Sequence, residues 1–290
     1  MRGRSALGLL VLTGLAGPLQ AQAWVSQLPG TPLTARTAGL GGASAAMIGY
    51  AGSVFTNPAG LASIRVTSVE ATYGKPEPKT QYMMGAVAAR VGQLNIGGGF
   101  RYLQFEPGEG QRDNLEAVTS LVTRVRGVAL GASGHYYSIE DSSGAVRRVL
   151  STDAAMTVAF FEISALAFSV QNVGRIQSGG PMLDVPTVFR LGFSLNLVDS
   201  YSNGRLLATI ERVWVDGDGR NRVGLEGGAV FYGVGLVARV GVGSQLSGSP
   251  FRNPSFGGSI ILGRGAGIDY AYLDRRDRRP LHLVGLRFTL

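Results

Sequence analysis

Pro186-Thr187-Val188-Phe189-Arg190-Leu191-Gly192-Phe193-Ser194-Leu195-Asn196-Leu197 changes polarity at almost every step. Thr187, Phe189, Leu191, Phe193, Leu195 and Leu197 fall on one face, and Arg190, Gly192, Ser194 and Asn196 on the other. Side chains alternate faces along a strand, so this stretch is a strand with one oily face and one polar or small face. The same pattern recurs on both sides. In 94–104, Leu94, Ile96, Phe100 and Tyr102 oppose Asn95, Gly97, Gly99 and Arg101. At the chain end, Val284, Leu286, Phe288 and Leu290 oppose Gly285, Arg287 and Thr289.

Extended along the chain, the pattern predicts fourteen strands: 65–74, 79–91, 93–105, 114–126, 127–139, 147–161, 163–173, 186–198, 204–215, 221–232, 233–244, 255–262, 265–274 and 281–290. Each is close to the length a tilted strand needs to cross a bilayer, about 9–11 residues. The connections alternate in kind. Those after odd strands are mostly long and polar: 106–113, 140–146, 174–185, 216–220, 245–254 and 275–280. Those after even strands are mostly very short, with 199–203 as the exception. Long loops at one end and tight turns at the other are expected of a membrane barrel with an even strand number and both termini periplasmic. Closure follows, because hydrocarbon leaves no partner for the backbone groups of a free edge. The fold expected is therefore all-β, a transmembrane antiparallel barrel of about fourteen strands. Aromatics near strand ends (Tyr73, Tyr82, Tyr102, Trp214, Tyr232, Tyr270 and Tyr272) are expected to form the interfacial girdles.

Residues 1–23 read as a signal peptide. Arg2 and Arg4 open it, Ala6–Leu15 is a short apolar run, and Ala21-Gln22-Ala23 has the form of a cleavage site. Removing Arg2 and Arg4 takes the net charge from +8 to +6. With Lys75 and Lys79 the only lysines among 27 basic residues, the other 25 are arginines. These are scattered singly in an exported chain, which excludes a nucleic-acid partner and fits anionic headgroups of outer-membrane lipid. Cysteine is absent, so disulfides, thiolate catalysis and thiolate metal sites are excluded.

Residues 24–64 precede the strands and break the alternation. Between Ala35 and Leu61 they are rich in small residues, and Asn57-Pro58 reads as a helix start of about one turn. This segment is expected to fold as short helices inside the barrel of 65–290, as a hatch. Its key positions are Arg36, Gly39, Gly41, Gly42, Asn57, Pro58 and Ala59. Charges within strands (Glu70, Arg101, Arg190, Glu211, Arg222, Glu226, Arg239, Asp269 and Arg287) are expected to face the lumen. A lipid-facing arginine at mid-bilayer costs about 2–4 kcal/mol.

The only histidines, His135 and His282, lie in separate strands without metal-ligand spacing and read as polar residues at the rim. Gly233-Val234-Gly235-Leu236-Val237-Ala238 leads into a strand instead of a helix, so it is not a dinucleotide fingerprint. Asp216-Gly217-Asp218-Gly219 starts like a calcium loop but has Gly227 where the bidentate Glu belongs. A hairpin turn is the better reading. Neither an enzyme nor a cofactor is expected.

Residues 35–43 (Ala-Arg-Thr-Ala-Gly-Leu-Gly-Gly-Ala) with 56–61 (Thr-Asn-Pro-Ala-Gly-Leu) resemble the hatch of the PorV/PorQ-like branch of FadL-type outer-membrane barrels. Residues 168–174 with 185–192, and 257–273 with the closing strand, resemble that branch downstream. The resemblance implies a fourteen-stranded barrel with a luminal hatch in the bacterial outer membrane. Two activities come with it: passive passage of small hydrophobic molecules, or a shuttle role in type IX-like secretion that binds secreted proteins through outer loops. Of the two, the channel is the expected function. Phe288, near the end Arg287-Phe288-Thr289-Leu290, is the nearest candidate for recognition by the barrel-assembly machinery.

Overall fold

A computed structural model describes residues 34–78, 80–105, 114–140, 145–161, 163, 164–178, 185–198, 204–243, 253–263, 265–275 and 279–290. The expected signal peptide and residues 24–33 of the expected hatch lie outside them, as do most of the loops 106–113, 199–203 and 245–254.

Fourteen antiparallel strands form one closed barrel in sequence order, with the last strand hydrogen-bonded to the first. They are β1 (Thr67–Glu77), β2 (Thr80–Val91), β3 (Leu94–Phe105), β4 (Asn114–Val125), β5 (Val128–Glu140), β6 (Val146–Phe160) and β7 (Ser164–Ser178). β8 (Val188–Val198), β9 (Gly204–Val215), β10 (Asp218–Phe231), β11 (Val234–Gly243), β12 (Asn253–Leu262), β13 (Ala266–Leu273) and β14 (Leu281–Thr289) complete the wall. The seam runs from Ser68 opposite Thr289 to Gly74 opposite Leu283, so both wall termini lie at one end.

Alternation decides which face each residue takes. On β8 the side chains of Phe189, Leu191 and Leu197 are exposed, whereas Arg190, Gly192 and Ser194 are buried. Val87, Ile96, Phe100, Leu121, Leu130, Ile210, Leu225, Leu236, Ile260, Leu286 and others continue the exposed apolar surface on other strands. A belt of this kind is costly in water and stable against hydrocarbon. Among the described residues, no helix is long and apolar enough to cross a membrane.

Tight turns join the strands at the end carrying the termini. At Tyr232-Gly233 both residues have positive φ, +50° and +81°, as a two-residue type I′ turn requires. Asp216-Gly217, at the opposite end, does the same with +48° and +94°. The expected five-residue connection 216–220 is thus a two-residue hairpin, because the Asp-Gly turn lets β10 begin at Asp218. Tyr82 also departs from expectation: it lies on the buried inner face, not in a girdle, since it shares parity with Met84 and Ala86.

The β6–β7 ladder is irregular. Asn172 and Gly174 have positive φ, +59° and +61°, and the register shifts between Leu150 and Ala154. Beyond Gln171, β7 leaves the β8 ladder and continues against β6 alone. Asn172 compensates with its side chain, accepting from Tyr137 and Ser151 hydroxyls and donating to the Pro186 carbonyl (2.8, 3.0 and 2.9 Å).

The lumen is occupied by residues 34–64. They form a short helix α1 (Ala35–Gly39) and two 3-10 helices, Ala51–Phe55 and Pro58–Ser63. Most of this segment is buried against the wall.

Candidate functional site

The site is the contact between this luminal segment, the hatch, and the inner wall. α1 starts at Thr34, whose hydroxyl accepts from the Thr37 backbone N–H while Thr37 returns a bond to the Thr34 N–H, a reciprocal capping box. The second 3-10 helix starts at Asn57, whose side chain accepts from the Ala59 N–H, with Pro58 at the first helical position. Asn57 does more than cap. Its amide donates to the Ala45 carbonyl at 2.6 Å, joining two parts of the hatch, and to Thr157 Oγ of the wall at 2.8 Å.

Close approach to the wall depends on glycine. Gly39 and Gly257 meet backbone to backbone, a Cβ on either coming within 3.1 Å of the other's Cα. A Cβ on Gly131 would lie 2.7 Å from the Ala59 nitrogen, and one on Gly192 would lie 2.9 Å from Ala45 and Ala46. Gly41 has φ +68° and sits against the Val242 backbone, where any side chain would collide.

One side of the lumen is charged. Arg36 grips Glu226 with two parallel bonds, both 3.0 Å, the fork geometry favoured by guanidinium and carboxylate. Burial alone would lower the Arg36 pKa, but Glu226 outweighs it and the group is held above the usual arginine value. Glu226 also accepts from Arg239 at 2.7 Å, Arg239 reaches Asp269 at 3.1 Å, and Arg287 lies 3.4 Å from Asp269. Nearby, Glu211 divides its oxygens. Oε2 accepts from the Ser44 and Ala45 backbone N–H groups of the hatch, while Oε1 faces Arg190 at 2.7 Å and Arg222 at 3.5 Å. Arg222 donates to the Gly42 carbonyl as well. Glu70, on β1, accepts from the Gly52 N–H.

Arg101 pairs with Glu116, not with any residue in the expected set, and its guanidinium lies over the Phe55 ring at 5.2 Å. Glu116 leads to a group the sequence reading missed. His135 is buried, not at the rim, with Nδ1 2.9 Å from Glu116 and Nε2 2.7 Å from Asp153. A ring nitrogen that carries a proton donates to the carboxylate it faces, so the imidazole bridges the two acids. Gln171 donates to Asp153 and to the Phe55 carbonyl, and Ser169 donates to the Thr56 carbonyl. The polar atoms of this array are committed to one another. It has the character of a brace under the hatch. His282, by contrast, is at the rim, 2.7 Å from the Tyr270 hydroxyl. Parity with Val118, Ser120 and Val122 could have placed Glu116 inside, but the mixed polarity of β4 hides its inner face.

An apolar stripe shares β3–β6 with the Arg101–Glu116–His135–Asp153 array. One continuous cluster joins Leu103, Tyr82, Met84, Leu281 and Leu283 near the loop end to Phe55, Val54 and Leu61 of the hatch. It continues to Ile64, Val122 and Ala129 towards the tight-turn end. A separate groove of about 550 Å³ lies largely on the outer face, where Gly227, Ala238 and Gly258 are register neighbours beneath Leu236, Ile260 and Tyr270. It opens away from the hatch and is not part of this site.

No known protein-family profile matches the chain, and no curated protein matches it by sequence. Solved structures do match in shape. The toluene transporter TbuX of Ralstonia pickettii aligns over 89% of this chain and 98% of its own, at 11% identity and a TM-score of 0.62. The monoaromatic hydrocarbon channel CymD aligns over 89% and 97%, at 12% identity and a TM-score of 0.62. A FadL homologue of Pseudomonas aeruginosa aligns over 88% and 97%, at 10% identity and a TM-score of 0.55. At such identities the likeness is one of fold: this chain has the architecture of FadL-type transport barrels.

Proposed function

We propose that the protein is an outer-membrane channel for passive passage of small hydrophobic molecules, with the hatch as its movable plug. The observation that carries this is the apolar stripe that runs from the loop end to the tight-turn end of the lumen through Phe55, Val54 and Leu61 of the hatch. A hydrophobic passenger needs such a surface, and a channel for hydrophilic solutes would do better without it. The shared fold with hydrocarbon transporters supports the reading. In this orientation both wall termini are periplasmic, the loop end is external, and the assembly machinery inserts the barrel after removal of residues 1–23. Membership of the PorV/PorQ-like branch rests on the motifs at 35–43, 56–61, 168–174 and 185–192, of which 168–174 contains the β7 bulge.

The test is transport. Purified barrel in liposomes should speed entry of a fluorescent hydrophobic probe relative to protein-free liposomes, and should leave a sugar of equal size excluded. Equal entry rates with and without protein would refute the channel.

A further inference from the structure

Asn114 opens β4 and faces inward, sharing parity with Glu116 and Val118. It is 1% exposed, yet among the described residues neither its amide nitrogen nor its carbonyl oxygen has a hydrogen-bond partner. A buried amide left unpaired is expensive, and a native structure that keeps one has a use for it. Its register neighbours are apolar: Leu103 on β3 and Ile139 on β5, with Tyr82 beyond Leu103 on β2. Leu103 and Tyr82 belong to the loop-end part of the apolar stripe. A donor and an acceptor thus sit unused beside an oily surface, where that stripe begins.

We propose that Asn114 is the polar contact of a binding subsite for neutral, mostly apolar molecules bearing one hydroxyl or carbonyl group, such as phenols or short alcohols. This deepens the channel reading and rests on it. A hydroxyl both donates and accepts, so it can use both ends of the amide. A neutral group fits better than an anion, because Arg101 on this face is already paired with Glu116, and Arg147, across Ile139 on β6, is engaged as well. The apolar body of the ligand lies against Tyr82, Leu103 and Ile139.

The experiment compares p-cresol with p-xylene, near-isosteric probes that differ by hydroxyl against methyl. Binding is measured at equilibrium to the barrel in lipid nanodiscs, after subtracting partition into empty nanodiscs. The wild type should prefer p-cresol by about three- to tenfold, the worth of one net hydrogen bond. Asn114→Leu should abolish the preference while keeping p-xylene affinity, and should raise the thermal midpoint of the ligand-free barrel. Equal binding of the two probes by the wild type, or a preference that survives in Asn114→Leu, overturns the subsite and assigns the amide to water. If neither probe binds, the channel reading itself fails. Should the variant not assemble, the wild-type ratio still decides.

Discussion

Glu211→Gln tests whether the hatch is held by a divided carboxylate. One oxygen of Glu211 serves the Ser44 and Ala45 N–H groups, and the other serves Arg190 and Arg222. Glutamine keeps the shape but has one acceptor oxygen. If it faces the hatch, the arginines meet an NH2 group; if it faces the arginines, the two hatch N–H groups do. Hydrogen bonds to a charged partner are worth about 1.5–3 kcal/mol each, so two lost bonds cost the closed hatch about 3 kcal/mol or more. At 1.4 kcal/mol per factor of ten, the open population should rise about 100-fold. The absence of native cysteine allows a clean reporter: Ser44→Cys is nearly isosteric, buried, and the sole thiol. Maleimide labelling of that thiol tracks the open population when reclosing is fast. A Glu211→Gln rate within twofold of its parent, in a barrel with unchanged heat-dependent gel mobility, would refute the proposed anchoring.

Three further outcomes are expected. Gly131→Val places a Cβ 2.7 Å from the Ala59 nitrogen and should displace the second half of the hatch, raising labelling of Ser53→Cys at least tenfold with the barrel still assembled. Asn57→Ala removes the cap on Ala59 and the bonds to Ala45 and Thr157; it should weaken hatch closure by about 2–4 kcal/mol, read by the same thiol. Leu191→Arg puts a charge on the exposed apolar belt and should lower barrel stability in lipid vesicles by about 2–4 kcal/mol in urea titration, with hatch labelling unaffected.

The barrel was legible because each strand obeys one rule, alternation, and the rule is local. Asn57-Pro58 was legible for the same reason, since a cap and its helix are neighbours in sequence. The β7 extension to Ser178 was not, because the bulge at Asn172 is stabilised by Tyr137, Ser151 and Pro186 from elsewhere in the chain. The Asp216 connection was overestimated because Gly219 and Arg220 look like loop residues but continue the ladder. Face assignment reached Glu211 and Glu226 as single residues. It could not reveal that one holds backbone and the other a guanidinium, which depends on where the hatch lies. His135 was misplaced because a histidine's role is set by the carboxylates on adjacent strands, and register is not written in either strand alone.

Without the hatch, the inner wall keeps a small excess of positive charge. Glu70, Glu116, Asp153, Glu211, Glu226 and Asp269 face Arg101, Arg147, Arg190, Arg222, Arg239 and the partly buried Arg287, with Arg205 in excess beside Glu226. When Arg36 departs, Glu226 keeps Arg239 and Arg205, and Glu211 keeps Arg190 and Arg222. An unplugged passage would therefore favour chloride over potassium, and its reversal potential across a potassium chloride gradient would shift from zero towards the chloride value.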